Sequence, residues 1–257
     1  MTPLANRIAI VTGSTAGIGL AIAHDLIAQG AKVVLNGRRA EKLRRVAASF
    51  KPGATAPVVG DAAEQSTIDQ LFNAAGHLGA PADLVVVNAG RGLNGSVVSS
   101  DPAEWEEMIR TNLTGAARIL RTAAQNMLAD LETRDKSDWQ KRPRDIVVIG
   151  SVVGRHVSPF SSMYGSTKFA VHGLTEGLRR ELAPKGIRVT LIEPGFVVSE
   201  FQGVAGYTDE WFEGVVDRIG PVLEPADVAR AVTFACSQPA RVHVGDMLIR
   251  PTRQDYP

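Results

Sequence analysis

Short runs of apolar, mostly β-branched residues alternate with longer helix-patterned stretches along this chain. That alternation constrains its fold more than any other feature. The runs are Ile8–Val11, Lys32–Leu35, Ala56–Val59, Leu84–Val87, Ile146–Ile149 and Val189–Ile192, with a weaker seventh at Met247–Ile249. Most are continuously hydrophobic, the pattern of parallel strands buried on both faces. The stretches near 17–29, 40–50, 64–78, 102–131, 163–184 and 225–236 carry helical spacing. Strands that alternate with helices give a doubly wound α/β fold, and 257 residues suffice for one such domain over 1–257. Two segments interrupt the pattern. Residues 133–144 are polar and charged and read as a surface excursion. Residues 196–222 are apolar, glycine-spaced and aromatic, and read equally as a lid over a site or as core packing.

Composition excludes several classes. Lys plus Arg is 28 and Asp plus Glu is 27, so no global charge draws the chain to nucleic acid or an anionic membrane. One cysteine, Cys236, cannot form an internal disulfide and reads as core. No apolar run approaches a membrane span, and Met1–Arg7 lacks signal-peptide anatomy, so the expectation is a soluble cytoplasmic protein. The five histidines have no metal-ligand spacing. His172 reads as helix surface, His156 as a candidate for the pocket mouth, and Trp105 as helix packing.

Directly after the first run comes Thr12-Gly13-Ser14-Thr15-Ala16-Gly17-Ile18-Gly19, then a helix. Gly13 permits a tight turn, Gly17 lets a pyrophosphate approach the backbone, and Gly19 allows close helix–strand packing. The helix N-terminus supplies free N–H groups for phosphates. Ser14, Thr15 and Ile18 complete this candidate cofactor turn. No Asp or Glu lies between Lys32 and Ala40, where an acid would hold ribose hydroxyls; Arg38 and Arg39 stand there instead. Arginine pairs with a 2′-phosphate, so the expected cofactor is NADP(H).

Tyr164 and Lys168 are four apart on a predicted helix and share a face. Ser151 follows the fifth run at its C-terminal end. A tyrosine with its reference pKa near 10 exchanges protons poorly at neutrality, and a nearby Lys168 ammonium is expected to lower it. Ser151 can hydrogen-bond a substrate oxygen.

With these residues in place the chain resembles the short-chain dehydrogenase/reductase family over nearly its whole length. The marks are the glycine turn, Asp61, Asn88-Ala89-Gly90, Asn112, Ser151, Tyr164-x-x-x-Lys168 and Pro194-Gly195. The resemblance implies a seven-stranded parallel sheet in the order 3-2-1-4-5-6-7. It implies that Asp61, with Ala62, meets the adenine, and that Asn88, Ala89 and Gly90 shape the cofactor floor. Asn112 would hold a water linking Lys168 to solvent. Tyr164 would be the acid in carbonyl reduction and the base in alcohol oxidation, and Lys168 would hold the nicotinamide ribose. Pro194, Gly195, Val197 and Ser199 would line the nicotinamide pocket. It also implies a homotetramer or dimer paired through helices at 116–131 and 169–182.

The stretches Asn36-Gly37-Arg38-Arg39, Ile192-Glu193-Pro194-Gly195 and Pro251-Thr252-Arg253-Gln254 are most similar to the NADP-dependent 3-hydroxy acid dehydrogenase group. That resemblance implies a small 3-hydroxy acid or semialdehyde substrate, with Arg155 and Arg253 as candidate anion partners. A 3-oxoacyl reductase and a polyol or secondary-alcohol dehydrogenase would use the same site. A sensor that binds NADP without turnover would have no need of Ser151, Tyr164 and Lys168.

Overall fold

The computed structural model describes residues 3–256; Met1, Thr2 and Pro257, at the ends of the expected domain, lie outside the described residues. One parallel sheet runs through the molecule in the order β3-β2-β1-β4-β5-β6-β7, as the sequence implied. Its strands are β1 (Ile8–Val11), β2 (Lys32–Gly37), β3 (Thr55–Val59), β4 (Leu84–Val87), β5 (Arg144–Ile149), β6 (Ile187–Pro194) and β7 (Asp246–Ile249). The helices are α1 (Gly17–Ala28), α2 (Ala40–Ala48), α3 (Gln65–His77), α4 (Trp105–Ile109), α5 (Ala116–Glu132), α6 (Ser162–Leu182), α7 (Phe201–Val204), α8 (Asp209–Ile219) and α9 (Pro225–Ser237).

Strand side chains alternate between two cores. Ile8, Ile10, Val85, Val87, Ile146 and Val148 face Ile68 and Leu71 of α3, Ile119 of α5 and Val171 of α6. Ala9, Val11, Leu84, Val86, Val147 and Ile149 face Ile22 and Leu26 of α1, Leu43 of α2 and Val228 and Val232 of α9. Each fully buried Leu or Ile contributes about 2 kcal/mol. The two edges differ from this pattern. Pro57 is tolerated in β3 because that strand is an edge, and β7 is only partly buried. Cys236 is in the second core, as expected.

At the N-terminal ends of the central strands lies a chain of buried charges. Arg7 bonds Asp83 at 2.8 Å and Asp145 at 2.9 Å, and Arg188 holds both oxygens of Asp145 at 2.7 and 2.9 Å. The C-terminal ends of β1, β4, β5 and β6 open toward the candidate site, at the switch in strand order where ligands bind in such sheets.

The long helix expected over 102–131 is broken. A 3₁₀ turn at Pro102–Glu104 precedes α4, and a π-helical segment, Arg110–Gly115, joins α4 to α5. Trp105 donates its indole N–H to Ser100 at 3.0 Å. The excursion at 133–144 stays on the surface but is pinned down. Arg144 pairs with Asp130 at 2.5 Å and Asp138 at 3.2 Å, and a Cβ at Gly186 would meet Trp139 at 2.6 Å. Among the described residues no helix is long and apolar enough to cross a membrane, and no His, Cys, Asp or Glu cluster could hold a metal.

Candidate active site

The turn after β1 is stitched to the segment after β4. Thr12 Oγ1 accepts from the N–H groups of Asn88 and Ala89 at 3.0 Å, and Asn88 Nδ2 donates to Thr12 O at 2.9 Å. Gly13 and Gly17 take φ of +64° and +51°, which side chains disfavour. A Cβ at Gly19 would lie 2.4 Å from Gly13 O. Ala16 sits at the N-cap of α1 and has no side chain able to cap it, so the first-turn N–H groups are left for an anion. These features fit a bound pyrophosphate.

Ser14 departs from expectation. It is fully buried, and its Oγ accepts from Asn36 N at 2.9 Å, so its hydroxyl holds the turn instead of facing a cofactor. Thr15 packs against Gly37, where any Cβ would come within 2.4 Å of its methyl group. The residue that sequence reasoning missed here is Asn36. Its side-chain amide donates to Val58 O and Gly60 O and accepts from Gly13 N at 3.4 Å, joining β2, β3 and the turn. A polar residue inside an apolar strand was the available signal.

On the adenosine side Arg38 and Arg39 are exposed beside the glycine turn. Arg39 reaches Glu200 at 3.1 Å, and Lys42 reaches the same carboxylate at 2.5 Å. Asp61 accepts from Ala63 N at 2.9 Å and from Arg110 at 2.5 Å. Burial works to raise its pKa, but the Ala63 N–H and Arg110 outweigh it and hold the carboxyl low. Both its oxygens are thus engaged within the protein, and Ala62 is packed into the core rather than turned outward.

The chemistry side is more compact. Ser151 starts a 3₁₀ turn after β5, with extended backbone, and its side chain accepts from Val153 N at 3.4 Å. Lys168 is buried, and its Nζ donates to Ile149 O at 2.9 Å. It lies 5.8 Å from the centre of the Tyr164 ring. The expected lowering of Tyr164 by Lys168 is not found in this arrangement. Burial pushes the phenol well above its ordinary value, and the neighbouring Ser151 hydroxyl opposes that only in part. Burial likewise lowers Lys168 to about 8. A phenol held protonated suits an acid that donates to a carbonyl oxygen.

Asn112 lies in the π-helical segment, and its side chain is fully engaged. It accepts from Arg91 N at 2.8 Å and donates to Arg91 O at 2.8 Å and Thr167 Oγ1 at 3.1 Å. It therefore braces the segment after β4 against α6, next to Lys168.

A cavity of about 910 Å³ joins these parts. Gly13, Gly17, Ile18, Gly19, Asn88, Ala89 and Gly90 line one end; Ser151, Tyr164, Lys168, Pro194, Gly195, Val197 and Ser199 line the other. The segment at 196–222 covers it with α7 and α8. Phe201 packs on Tyr164 with ring centres 5.5 Å apart, and Tyr207 stacks on Trp211 at 4.4 Å. Phe160, Val204, Trp211 and Tyr256 line the cavity and are also exposed, giving an apolar rim.

Four expectations fail here. Arg155 is turned away from the cavity and grips Glu193 at 2.5 and 2.6 Å, because that buried carboxylate needs a partner. Arg253 donates to Arg218 O outside the lining, and His156 is exposed and also outside it. Besides Lys168, the cations on the cavity wall are Arg91 and Arg218. The C-terminal tail contributes Gln254, whose Oε1 accepts from Phe196 N at 3.0 Å, and Tyr256. His172 is not on the surface; it is largely buried under Ser151.

Fold and site together define an oxidoreductase built on a dinucleotide-binding sheet. The chain belongs to the short chain dehydrogenase family, whose model matches residues 7–208. It is 34% identical over 251 residues to an uncharacterized oxidoreductase of Staphylococcus aureus strain USA300, covering 98% of this chain and all of that one. Among solved structures it is similar to a serine dehydrogenase complexed with NADP⁺, with 29% identity, a TM-score of 0.83 and coverage of 97% and 96% of the two chains. It is also similar to a putative gluconate dehydrogenase from Agrobacterium tumefaciens, with 25% identity, a TM-score of 0.83 and coverage of 99% and 98%.

Proposed function

We propose that this protein interconverts a small alcohol and its carbonyl by NADP(H)-dependent hydride transfer. The observation that carries the proposal is the convergence of Ser151, Tyr164 and Lys168 on a cavity whose other end is the uncapped glycine turn. The nicotinamide, when bound, gives or accepts the hydride. Ser151 orients the substrate oxygen, Tyr164 gives or takes the proton at that oxygen, and Lys168 lies beneath them as a buried cation that favours negative charge there. Val197, Ser199, Pro194 and Gly195 would border the nicotinamide. Arg38, with Arg39 once Glu200 releases it, would meet the 2′-phosphate.

The substrate expected from the sequence is a 3-hydroxy acid. The likeness to serine dehydrogenase supports it, and Arg218 on the cavity wall, which pairs with the exposed Asp255 at 3.2 Å, would meet the carboxylate by exchanging that partner. A neutral secondary alcohol is the second reading, favoured by the aromatic wall of Phe201, Tyr207 and Trp211. The exposed Phe169 and Leu174 of α6 support pairing of chains into a homotetramer, which light scattering would test. The cytoplasm, with its reducing conditions, suits the single buried cysteine.

The decisive experiment measures NADP⁺ and NAD⁺ reduction with serine, 3-hydroxypropionate and 1-phenylethanol. Turnover of the acids with NADP⁺ supports the first reading. Turnover of the neutral alcohol alone moves the substrate to the second. Turnover that survives Tyr164→Phe would overturn the assignment of the acid–base group.

A further inference from the structure

Beneath the loop that carries Ser151 lies an imidazole with no part in the chemistry above. His172 stands on α6, one turn beyond Lys168, and its side chain is 12% exposed. Its Nε2 accepts a hydrogen bond, 3.4 Å long, from the backbone N–H of Ser151. Its Nδ1 faces Glu193 Oε2 at 3.6 Å. Glu193 is fully buried in β6, and Arg155 holds both its oxygens from the other side.

The loop is shaped to this ring. A Cβ at Gly150 would come within 2.4 Å of His172 Nε2, and one at Gly154 within 2.3 Å of its Cε1. Neither glycine is among those with positive φ, so the backbone conformation does not demand them. Their missing side chains serve to admit the imidazole on both sides of Ser151. The contact is therefore built into two elements at once, the helix that brings the ring and the loop that encloses it.

We propose that His172 is a positioning residue for Ser151. Its ring fixes the Ser151 backbone, and through it the direction of the Ser151 hydroxyl, while the Glu193–Arg155 pair sets which ring nitrogen carries the proton. The inference rests on the reading that Ser151 orients the substrate oxygen. An acceptor at Nε2 requires the neutral ring with its proton on Nδ1, toward the carboxylate. Burial pushes the imidazole down to about 4; Glu193 and Asp246 oppose that, and Lys168 and Arg155 reinforce it. Those four act on the ring from β6, β7, α6 and the loop after β5, and Glu176 and Arg179 of α6 pair with each other in the same small pocket. The ring thus stays an acceptor throughout the neutral range.

Two measurements test this. Nitrogen NMR of the ¹⁵N-histidine-labelled protein reads the ring directly and needs no substrate. His172 is expected with its proton on Nδ1 and no titration between pH 5 and 8. A proton on Nε2, or a titration midpoint near 6.5, would overturn the proposal, because the ring could not accept from Ser151. The second is a double-mutant cycle with His172→Leu and Ser151→Ala, using the substrate the activity panel selects. His172→Leu should lower kcat between about three- and tenfold, the worth of one hydrogen bond. KM and the NADPH Kd should stay within about twofold, and no further loss should appear in Ser151→Ala. An equal loss in that background would mean that His172 acts independently of Ser151. Unimpaired His172→Leu beside impaired Ser151→Ala overturns this inference alone; unimpaired Ser151→Ala overturns the reading beneath it. If the leucine variant fails to fold, His172→Gln and His172→Asn decide. Glutamine carries an acceptor to the Nε2 position and asparagine does not, so equal kcat in the two would count against the proposal.

Discussion

Lys168→Met should make the protein more stable at pH 7 while removing its activity. Lys168 is buried, and burial lowers its pKa from 10.5 to about 8. A shift of that size corresponds to about 3 kcal/mol of cost to the folded state, at about 1.4 kcal/mol per pKa unit. The bond from Nζ to Ile149 O, 2.9 Å, offsets about 1 kcal/mol. Methionine keeps the volume without the charge, so the net gain is about 2 kcal/mol, or roughly 4–8 °C in Tm. The sign changes with pH in a defined window. Below pH 8 the amine is charged in both folded and unfolded chains, and the cost is fully present. Between 8 and 10.5 the folded chain sheds its proton first, so wild-type stability rises and the gap closes. Above 10.5 the wild type keeps a neutral amine bonded to Ile149 and is the more stable by about 1 kcal/mol. Thermal melts of both proteins from pH 6 to 11 measure this. A variant that melts lower than wild type at pH 7, or a gap that stays constant to pH 11, would refute the reasoning that the ammonium is held against its solvation energy.

Other consequences can be checked in the same way. Arg155→Met should leave KM for an anionic substrate unchanged yet cost about 2–3 kcal/mol of stability in a chemical melt, because the buried Glu193 loses its guanidinium and keeps only the distant His172 ring. Arg38→Asp should cut the NADPH-to-NADH rate ratio by at least about tenfold, the effect of setting like charge against a phosphate; an unchanged ratio would remove Arg38 from cofactor choice. Since Tyr164 is held protonated, alcohol oxidation should climb about tenfold per pH unit from 7 to 10 while carbonyl reduction stays nearly flat. An oxidation rate already level at pH 7 would show that the phenol ionises there. Gly19→Ala should raise the NADPH Kd at least about tenfold in a fluorescence titration, because the new methyl group meets Gly13 O and forces the turn open.

Much of this was legible in local sequence. The burial of β1, β4 and β5 on both faces follows from their unbroken apolar runs, and the sheet order follows from the family's pattern. Tyr164 and Lys168 were placed correctly because four residues of helix fix their relation. The same spacing carries on to His172, so the face it shares with them was available as a signal; its neutrality depends on burial that only the packed loop supplies. Arg155 was misassigned because its true partner, Glu193, is 38 residues away, and no local spacing reveals a buried carboxylate. Ser14 was misread for a similar reason, since its partner is a backbone N–H on the neighbouring strand. The cap at 196–222 could not be placed from pattern: α8 has the Thr208 cap and the buried Val215 and Ile219 of an amphipathic helix, but its neighbour α7 is seated by Phe201 on Tyr164, a contact no local spacing reveals.

The buried chain from Arg7 through Asp145 to Arg188 has a bearing on synthesis. Arg7 precedes the first strand, yet one of its carboxylate partners lies 138 residues later and is itself completed by a guanidinium 43 residues further on. As the chain leaves the ribosome, β1 can pair with β2 early and Arg7 meets Asp83 when β4 arrives, but its second carboxylate, Asp145, comes only with β5. The last of these links comes with β6, and a chain released before β6 is complete would keep a half-compensated aspartate at its centre, which destabilises it and exposes it to proteolysis.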